Sequence, residues 1–361
     1  MLRSFRTTYV LAVLAAAVPC RMAACAERLT LRVTTDPPVD QIRPNEAPAR
    51  IVIRAAHADG APVENARVVL ALDLPPRNAF FSTGFPIAEG TPLLRATAIA
   101  PHGELEISTL FPIRGAYALS ARVEQPGDPA SASEMTFTIG VNEEPGVVRN
   151  FVLLIFMLAG FGLVSGIVLG RSSLKNAARG AAAIALLLLF HPLTARAHDD
   201  HAHPNPAAAP TTSHVAADSP SGDRIEMKLD REFATVGQMA GLKGWFAQKA
   251  ESPAATEFTL SFINLDHDKE IFRMQFLSAD GRFDLQHQFT DGADHRIVLS
   301  ARPADAPGAV PVETEMTIAV HAIHPPAVIV YRTLAFLVGI AALAMAAGYF
   351  ATVRLAKGRA A

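Results

Sequence analysis

The apolar positions of this 361-residue chain follow two different periods. Over residues 28–142 they alternate. Leu29, Leu31 and Val33 share one face of an extended segment, and Val68, Leu70 and Leu72 share another. Tyr117, Leu119, Ala121 and Val123 repeat the pattern, as do Met135, Phe137 and Ile139. Alternation of this kind marks strands with one buried face. Turn signals separate them at Asp59-Gly60, Pro101-His102-Gly103, Pro112-Ile113-Arg114-Gly115 and Gln125-Pro126-Gly127-Asp128. No helix is indicated in this region. Asn78–Pro92, with Phe80, Phe81 and Phe85, does not alternate and reads as a long loop, either packed over the strands or offered to a partner.

A second alternating region spans residues 223–324. Its strands are expected around Ile225–Leu229, Phe258–Asn264, Phe272–Leu277, Phe283–Phe289, His295–Ala301 and Thr314–Ile323. Asp280-Gly281 and Asp291-Gly292 are hairpin cues. The lone Trp245 is expected in the core.

Between and after these regions the period disappears. Phe151–Gly170 carries no charge over twenty residues, and Thr333–Val353 is comparable. At about 1.5 Å per residue, such runs span a bilayer core of roughly 30 Å as helices. Arg149 and Arg332 stand where long side chains reach the headgroups. The pattern as a whole predicts a mainly β chain with transmembrane α: two Ig-like antiparallel β-sandwich domains, each followed by a membrane-spanning helix.

Charge orients the arrangement. Arg171, Lys175 and Arg179 follow the first span and Arg354, Lys357 and Arg359 the last, with no acid among them. Every Asp and Glu lies in Glu27–Glu144 or Asp199–Glu315. Basic ends face the cytoplasm, so both β domains are expected in the periplasm. Residues 1–26 read as a signal peptide, with Arg3 and Arg6 ahead of the apolar run Tyr9–Val18 and a cut after Ala24-Cys25-Ala26. Residues 22–25 also approximate a lipobox with Met in place of Leu. The expected order is then a β-sandwich at 27–147, a helix at 149–170 and a basic loop at 171–179. A short spanning or signal-like segment at 180–197, a His-rich linker at 198–222 and a second sandwich at 223–324 follow. A helix at 329–353 and a tail at 354–361 end the chain. The run Ala181–Leu193 returns the chain across the bilayer, as a retained short helix or as a signal cut after Ala195-Arg196-Ala197. The retained helix is preferred, and both give one topology. The repeated order of β domain, anchor and basic tail points to a fusion of two single-anchor proteins.

The segment Asp59-Gly60-Ala61-Pro62-Val63-Glu64-Asn65-Ala66-Arg67-Val68 resembles the G-x-P-V-x-x-A-x-V hairpin of bacterial extracytoplasmic Ig-like modules, the YtkA-like group among them. Gly115-Ala116-Tyr117-Ala118-Leu119 resembles their closing G-x-Y-x-L strand. The resemblance covers about 100 residues, a domain's length, and implies the fold. It also implies an association with copper or heavy-metal handling.

Composition changes the picture mainly by exclusion. A net charge of −2 without basic patches argues against nucleic acid. The two cysteines, Cys20 and Cys25, both lie in the signal segment, so a chain beginning at Glu27 has no thiolate chemistry and no disulfide. No phosphate-binding glycine loop, H-E-x-x-H or G-x-S-x-G is present, and an enzyme is not expected. Ten of the twelve histidines lie from His191 onward. His198, Asp199, Asp200, His201 and His203 combine imidazole and carboxylate, a donor set that suits a divalent metal such as copper or zinc. A plain solvated linker has the same composition. His287 and His295 fall on apolar strand faces and are expected to be buried, hydrogen-bonded and diagonal to one another. His321, His324, Met227, Met274 and Met316 are further imidazole or soft donors, although methionines at strand spacing are more often core. The expected function is that of a membrane-anchored periplasmic accessory protein in a metal-handling or respiratory system, with a membrane protein complex and the lipid bilayer as partners. The alternative is a ligand-free module that docks a membrane complex.

Overall fold

The structure is a computed structural model that describes residues 29–78, 83, 85–171, 213–220, 222–248, 255–323 and 326–360. Among these residues are sixteen strands, two long helices and two short 3-10 turns. The N-terminal half contains β1 (Thr30–Asp36), β2 (Ala49–Ala56), β3 (Ala66–Asp73), β4 (Pro92–Ala100), β5 (Glu104–Thr109), β6 (Gly115–Gln125) and β7 (Asp128–Val141). Helix α1 (Pro145–Arg171) follows. The C-terminal half contains β8 (His214–Asp218), β9 (Arg224–Leu229), β10 (Ala234–Thr235), β11 (Met239–Ala247) and β12 (Thr256–Asn264). It continues through β13 (Lys269–Ser278), β14 (Arg282–Gln288), β15 (Asp294–Pro303) and β16 (Val312–His321) to helix α2 (Ala327–Ala360).

The N-terminal half pairs β7-β6-β3-β4 and, separately, β1-β2-β5. The C-terminal half pairs β16-β15-β12-β13 and β8-β9-β11-β14, with β10 running parallel to β16. Both sets follow the two-sheet immunoglobulin order. Tyr117, at the start of β6, supplies a further mark of that fold. Its hydroxyl donates to the Ile113 carbonyl (2.8 Å) and accepts from the Ile113 N–H (3.1 Å), the corner that pins the loop before this strand. Its ring meets Phe111 edge-on at 4.7 Å, and burial pushes its phenol pKa up.

The halves do not stand apart as two separate sandwiches. Strand β5 pairs antiparallel with β13, with Ser108 opposite Arg273 and Glu106 opposite Gln275. Strand β4 pairs with β14, with Arg95 opposite Gln286 and Leu94 opposite His287. The edge strands of each half thus complete the sheets of the other in a pseudo-twofold exchange. Two layers result, β1-β2-β5-β13-β12-β15-β16 and β7-β6-β3-β4-β14-β11-β9-β8, which touch where β13 meets β4 at Leu277 and Ile99. The buried side chains of both halves form one continuous core. Lys269 reinforces the join, donating through Nζ to the carbonyls of Asn45 (2.7 Å) and Glu46 (2.8 Å).

Two expected boundaries move. Residues 214–218, assigned above to the linker, form β8, because Val215 and Ala217 alternate against β9. Strand β11 was missed because Gly241 and Gly244 interrupt its pattern. At Gly244 a side chain would collide with the Phe283 ring, so the packing itself demands glycine. Trp245 points to the outer side of β11, half-buried and stacked on His214 with ring centres 6.2 Å apart, not into the core. Of the expected long loop at 78–92, residues 79–82 and 84 lie outside the described residues, and Ala88 and Glu89 are buried against the sandwich. Glu89 accepts the Thr83 N–H at 2.6 Å.

Both helices are long and apolar enough to cross a membrane. They pack side by side in the same direction. Gly162 abuts the backbone at Ala341, Gly166 at Met345 and Gly170 at Tyr349 and Thr352, while Gly348 abuts Leu163. A Cβ at Gly162, Gly166 or Gly348 would collide with a facing carbonyl oxygen, so glycines four residues apart set the closeness of the pair. The outward surfaces are large and apolar, with Phe156, Met157, Phe161, Val328, Leu343 and Phe350 all well exposed. Helix α2 runs on through the residues expected as a separate tail.

Candidate functional site: a cavity where the halves join

Strand β14 carries His287 and Gln288 to the place where both halves meet. His287 is 4 % exposed and Gln288 1 % exposed. They line a cavity of about 610 Å³ whose walls include Asn45, Phe85, Leu93 and Leu110 from the N-terminal half. Asn264, His267, Lys269, Ile271, Asp291 and His295 close it from the other half. The volume lies within the range of small-molecule sites, and the mixed lining is of the kind such sites have.

The register places this cavity at the helix-bearing end of the sandwich. Asp294 and His295 pair with Ala319 and Ile318, just before β16 ends and leads into α2. Leu110 follows the end of β5, and its N–H donates to the Ile271 carbonyl at 2.8 Å. Phe85 lies at the same end, and Arg332 of α2 donates to the Asn78 carbonyl at 3.4 Å.

The charged groups around the cavity are satisfied within the protein. Asp291 accepts from Asn264 Nδ2 (2.5 Å) and the Ala293 N–H (2.9 Å), and Lys269 is held by two carbonyls. His295 donates through Nδ1 to the Ala293 carbonyl at 2.9 Å, which fixes its tautomer. Burial pushes its pKa down, against the opposing pull of Asp291 and the Ala293 carbonyl. His287 is held among the rings of Phe262, Phe272 and Phe289, with centres 4.8, 5.1 and 5.1 Å away. Burial, and after it the charge of His295, lowers its pKa to about 3. It is a neutral imidazole at ordinary pH.

Two buried polar side chains in this region each have an atom without a partner. Among the described residues, three buried side-chain atoms have no hydrogen bond: His287 Nδ1, Gln288 Nε2 and Arg296 Nε. Two of the three belong to this cavity's wall. The other end of the Gln288 amide lies 2.9 Å from Thr91 Oγ1, which also lies 2.5 Å from the Ala88 carbonyl. The Thr91 hydroxyl has one proton and the Ala88 carbonyl can only accept it. The Gln288 amide therefore fits better turned by a half-turn, with its nitrogen toward Thr91.

Of the histidines and methionines singled out from the sequence, the burial is as expected and the relative placement of the histidines is not. His287 and His295 are buried, but they sit in different layers with Phe289 between them, not on adjacent strands of one sheet. His321 is exposed and stacked on Phe233 at 4.4 Å. Met227, Met274 and Met316 are buried core residues. His198, Asp199, Asp200, His201, His203 and His324 lie outside the described residues, as do the signal peptide and the segment at 180–197. Among the described residues no group of three His, Cys, Asp or Glu is placed to hold a metal ion. Gln288 was not singled out, since nothing in a lone glutamine at a strand end announces burial.

The strand order and the helices together define a class: a mainly β protein of immunoglobulin type with two helices able to span a membrane. No family model matches the chain, and no curated protein matches it in sequence. Solved structures align at low similarity. Invasin, a bacterial integrin-binding protein, is 9 % identical over 82 % of this chain and 40 % of its own, with a TM-score of 0.22. The native conformation of alpha-2-macroglobulin from E. coli is 12 % identical over 82 % of this chain and 17 % of its own, with a TM-score of 0.23. A conjugative transposon lipoprotein from Bacteroides eggerthii is 11 % identical over 30 % of this chain and 97 % of its own, with a TM-score of 0.19. This chain therefore spans less than half the length of the two larger proteins. The scores are too low to carry an argument about function.

Proposed function

We propose that the protein is a membrane-anchored, periplasm-facing β module that acts by binding, docking a membrane protein complex through its sandwich and helices. The observation that carries this reading is the helix pair. Two apolar helices leave the same end of one continuous sandwich, run parallel and lock together through glycines, with their remaining surfaces apolar and outward. Such surfaces belong in lipid. Arg171 and Arg354 stand at the ends remote from the sandwich, which supports a cytoplasmic side for those ends and an outer side for the sandwich. Between Arg171 and His214 the chain has to return to the sandwich's side, by a third crossing or by a cut after Ala197. Reporter fusions after residues 140, 175, 300 and 361 test this. The expected readings are out, in, out and in, and an outside signal at 175 contradicts the topology.

A second reading adds a metal. The run His198-Asp199-Asp200-His201-Ala202-His203 carries the donor chemistry for Cu(II) or Zn(II), so the protein would serve a metal-handling or respiratory system as an accessory. Titration calorimetry of the full chain should then show binding that weakens below about pH 6, as imidazoles protonate. Replacing His198, His201 and His203 by Ala should abolish it. Binding unchanged in that variant leaves docking alone as the function.

A further inference from the structure

The two halves of the chain correspond strand by strand. The order β1-β2-β5 in the N-terminal half matches β9-β11-β14 in the other, and β7-β6-β3-β4 matches β16-β15-β12-β13. Across the join the match extends to single residues. Ile107 lies opposite Met274 and Ser108 opposite Arg273, while Leu285 lies opposite Ala96 and Gln286 opposite Arg95. Ile107 and Leu285 are 178 residues apart, and so are Ala96 and Met274, Ser108 and Gln286, and Arg95 and Arg273. Thr109 opposite Phe272 and His287 opposite Leu94 obey the same shift. These contacts therefore occur twice, with the roles of the halves exchanged. Such reciprocity is the mark of an isologous, twofold interface.

A twofold relation also requires contacts between a residue and its own equivalent. The single pair that joins β4 to β13, Ile99 with Leu277, has the 178-residue separation. The shift becomes 179 in the last strands. There Glu134, Thr138, Ile139 and Val141 of β7 take the places that Glu313, Thr317, Ile318 and Val320 take in β16. It holds on into the helices, where Gly162 abuts Ala341 and Gly166 abuts Met345, each again 179 residues apart. Strands and helices thus obey one pseudo-twofold relation.

From these observations we propose that the chain is a dimer of equivalent units in one polypeptide, and that the units hold each other without the segment connecting them. The partner that fits the edges of β4 and β5 and the glycine face of α1 is a unit of the same build, supplied here by the second half. This rests neither on the docking function nor on the metal reading. It applies whether the connection crosses the membrane or is cut after Ala197. The join is held in three ways: by the strand pairs, by Lys269 on the Asn45 and Glu46 carbonyls, and by the helix pair. Its apolar residues Ala96, Ile107, Met274 and Leu285 are all buried in the shared core. Every residue in these contacts lies outside the connecting run 172–212. An interface built like a core cut in two is the obligate kind.

The test is to sever the full chain. A protease site is inserted after Ala197 and an affinity tag is placed after Ala361. The purified protein is cut to completion in mild detergent, with micelles in large excess so that fragments do not share one by chance. The N-terminal fragment should stay with the tagged fragment through dilution to micromolar protein, about a thousandfold below the effective concentration that a short tether provides. Gly166→Leu drives a side chain into the Met345 carbonyl and leaves the sandwich untouched. It should raise dissociation of the cut protein about tenfold or more. Lys269→Ala removes the bonds to Asn45 and Glu46 and should raise it about tenfold. This milder variant serves where the helix variant fails to fold. Fragments that part on dilution would show that the connection, and not the join, holds the halves, and would overturn the proposal. So would retention that neither substitution weakens, since the fragments would then cling through a different surface.

Discussion

Each half of the sandwich buries a polar ring near its helix-bearing end, and the two rings are treated differently. In the N-terminal half, Tyr117 is wholly buried and its hydroxyl is used twice, as donor and acceptor to Ile113. In the C-terminal half, His287 is nearly as buried, packed against three phenylalanines, and its Nδ1 has no partner. The first arrangement fixes a loop and stabilises the fold. The second costs stability and stands beside a cavity. A buried polar group retained at a cost marks a place where function competes with packing.

The difference can be broken experimentally, most severely at Tyr117. Tyr117→Phe leaves both the N–H and the carbonyl of Ile113 buried without a partner. Denaturant unfolding should show a loss of roughly 2–4 kcal/mol, from about 1–3 kcal/mol for each stranded group. Acid gives the next largest effect, through the other half. The folded pKa of His287 lies near 3 and its unfolded value near 6.5. Between these values the unfolded chain binds a proton that the folded chain does not, so stability is full above about pH 6.5 and falls as pH drops toward 3. The slope from this group reaches about 1.4 kcal/mol per pH unit. His295, also depressed by burial, acts in the same direction. Melting curves across this window should therefore be shallower in His287→Phe than in the parent chain. The smallest effect is that variant at neutral pH. Phe fills nearly the same space and removes an unpaired atom, so stability should be unchanged or slightly higher, opposite in sign to Tyr117→Phe. A loss comparable with that of Tyr117→Phe would show that His287 is satisfied after all.

Much of the fold could be read from the alternation of apolar residues. Strands β3, β6, β9 and β12 to β16 stand close to where Val68, Tyr117, Ile225 and the later apolar alternations predict them. The two apolar runs predict the helices for a simpler reason, since nothing else tolerates twenty uncharged residues. What escaped has physical causes. The pattern in β11 is broken by Gly244, and that glycine is there because a phenylalanine from β14 lies against it, a contact between strands some forty residues apart. The union of the halves was invisible for a related reason. Strands β4, β5, β13 and β14 alternate as any half-buried strand does, and alternation says which face is inward but not which strand lies alongside. With that union unknown, the cavity it encloses could not be foreseen. His287 and His295 were rightly expected to be buried. Their placement in opposite layers depends on residues 289–293 passing from one sheet to the other, which short hairpin signals such as Asp291-Gly292 suggest against. The candidate metal residues His198, Asp199, Asp200, His201 and His203 rest on composition, which carries donor chemistry but no geometry.

An exchange of edge strands makes one sandwich of the two halves, and a pair of cysteines tests it directly. Ser108 and Arg273 are partners across β5 and β13, on the outer side of the layer. Opposed residues of antiparallel strands have Cα atoms about 4.5–5.5 Å apart, within the span of a disulfide. Ser108→Cys combined with Arg273→Cys should give rapid intrachain cross-linking under mild oxidation, read by mass spectrometry of the digested protein. The control, Ser108→Cys with Ser261→Cys, places the second thiol one strand farther away, because Ser261 pairs with Arg273 from the other side, and it should stay reduced. Equal, slow cross-linking of both pairs would mean that the halves move independently, and it would contradict the continuous sandwich and the cavity it encloses.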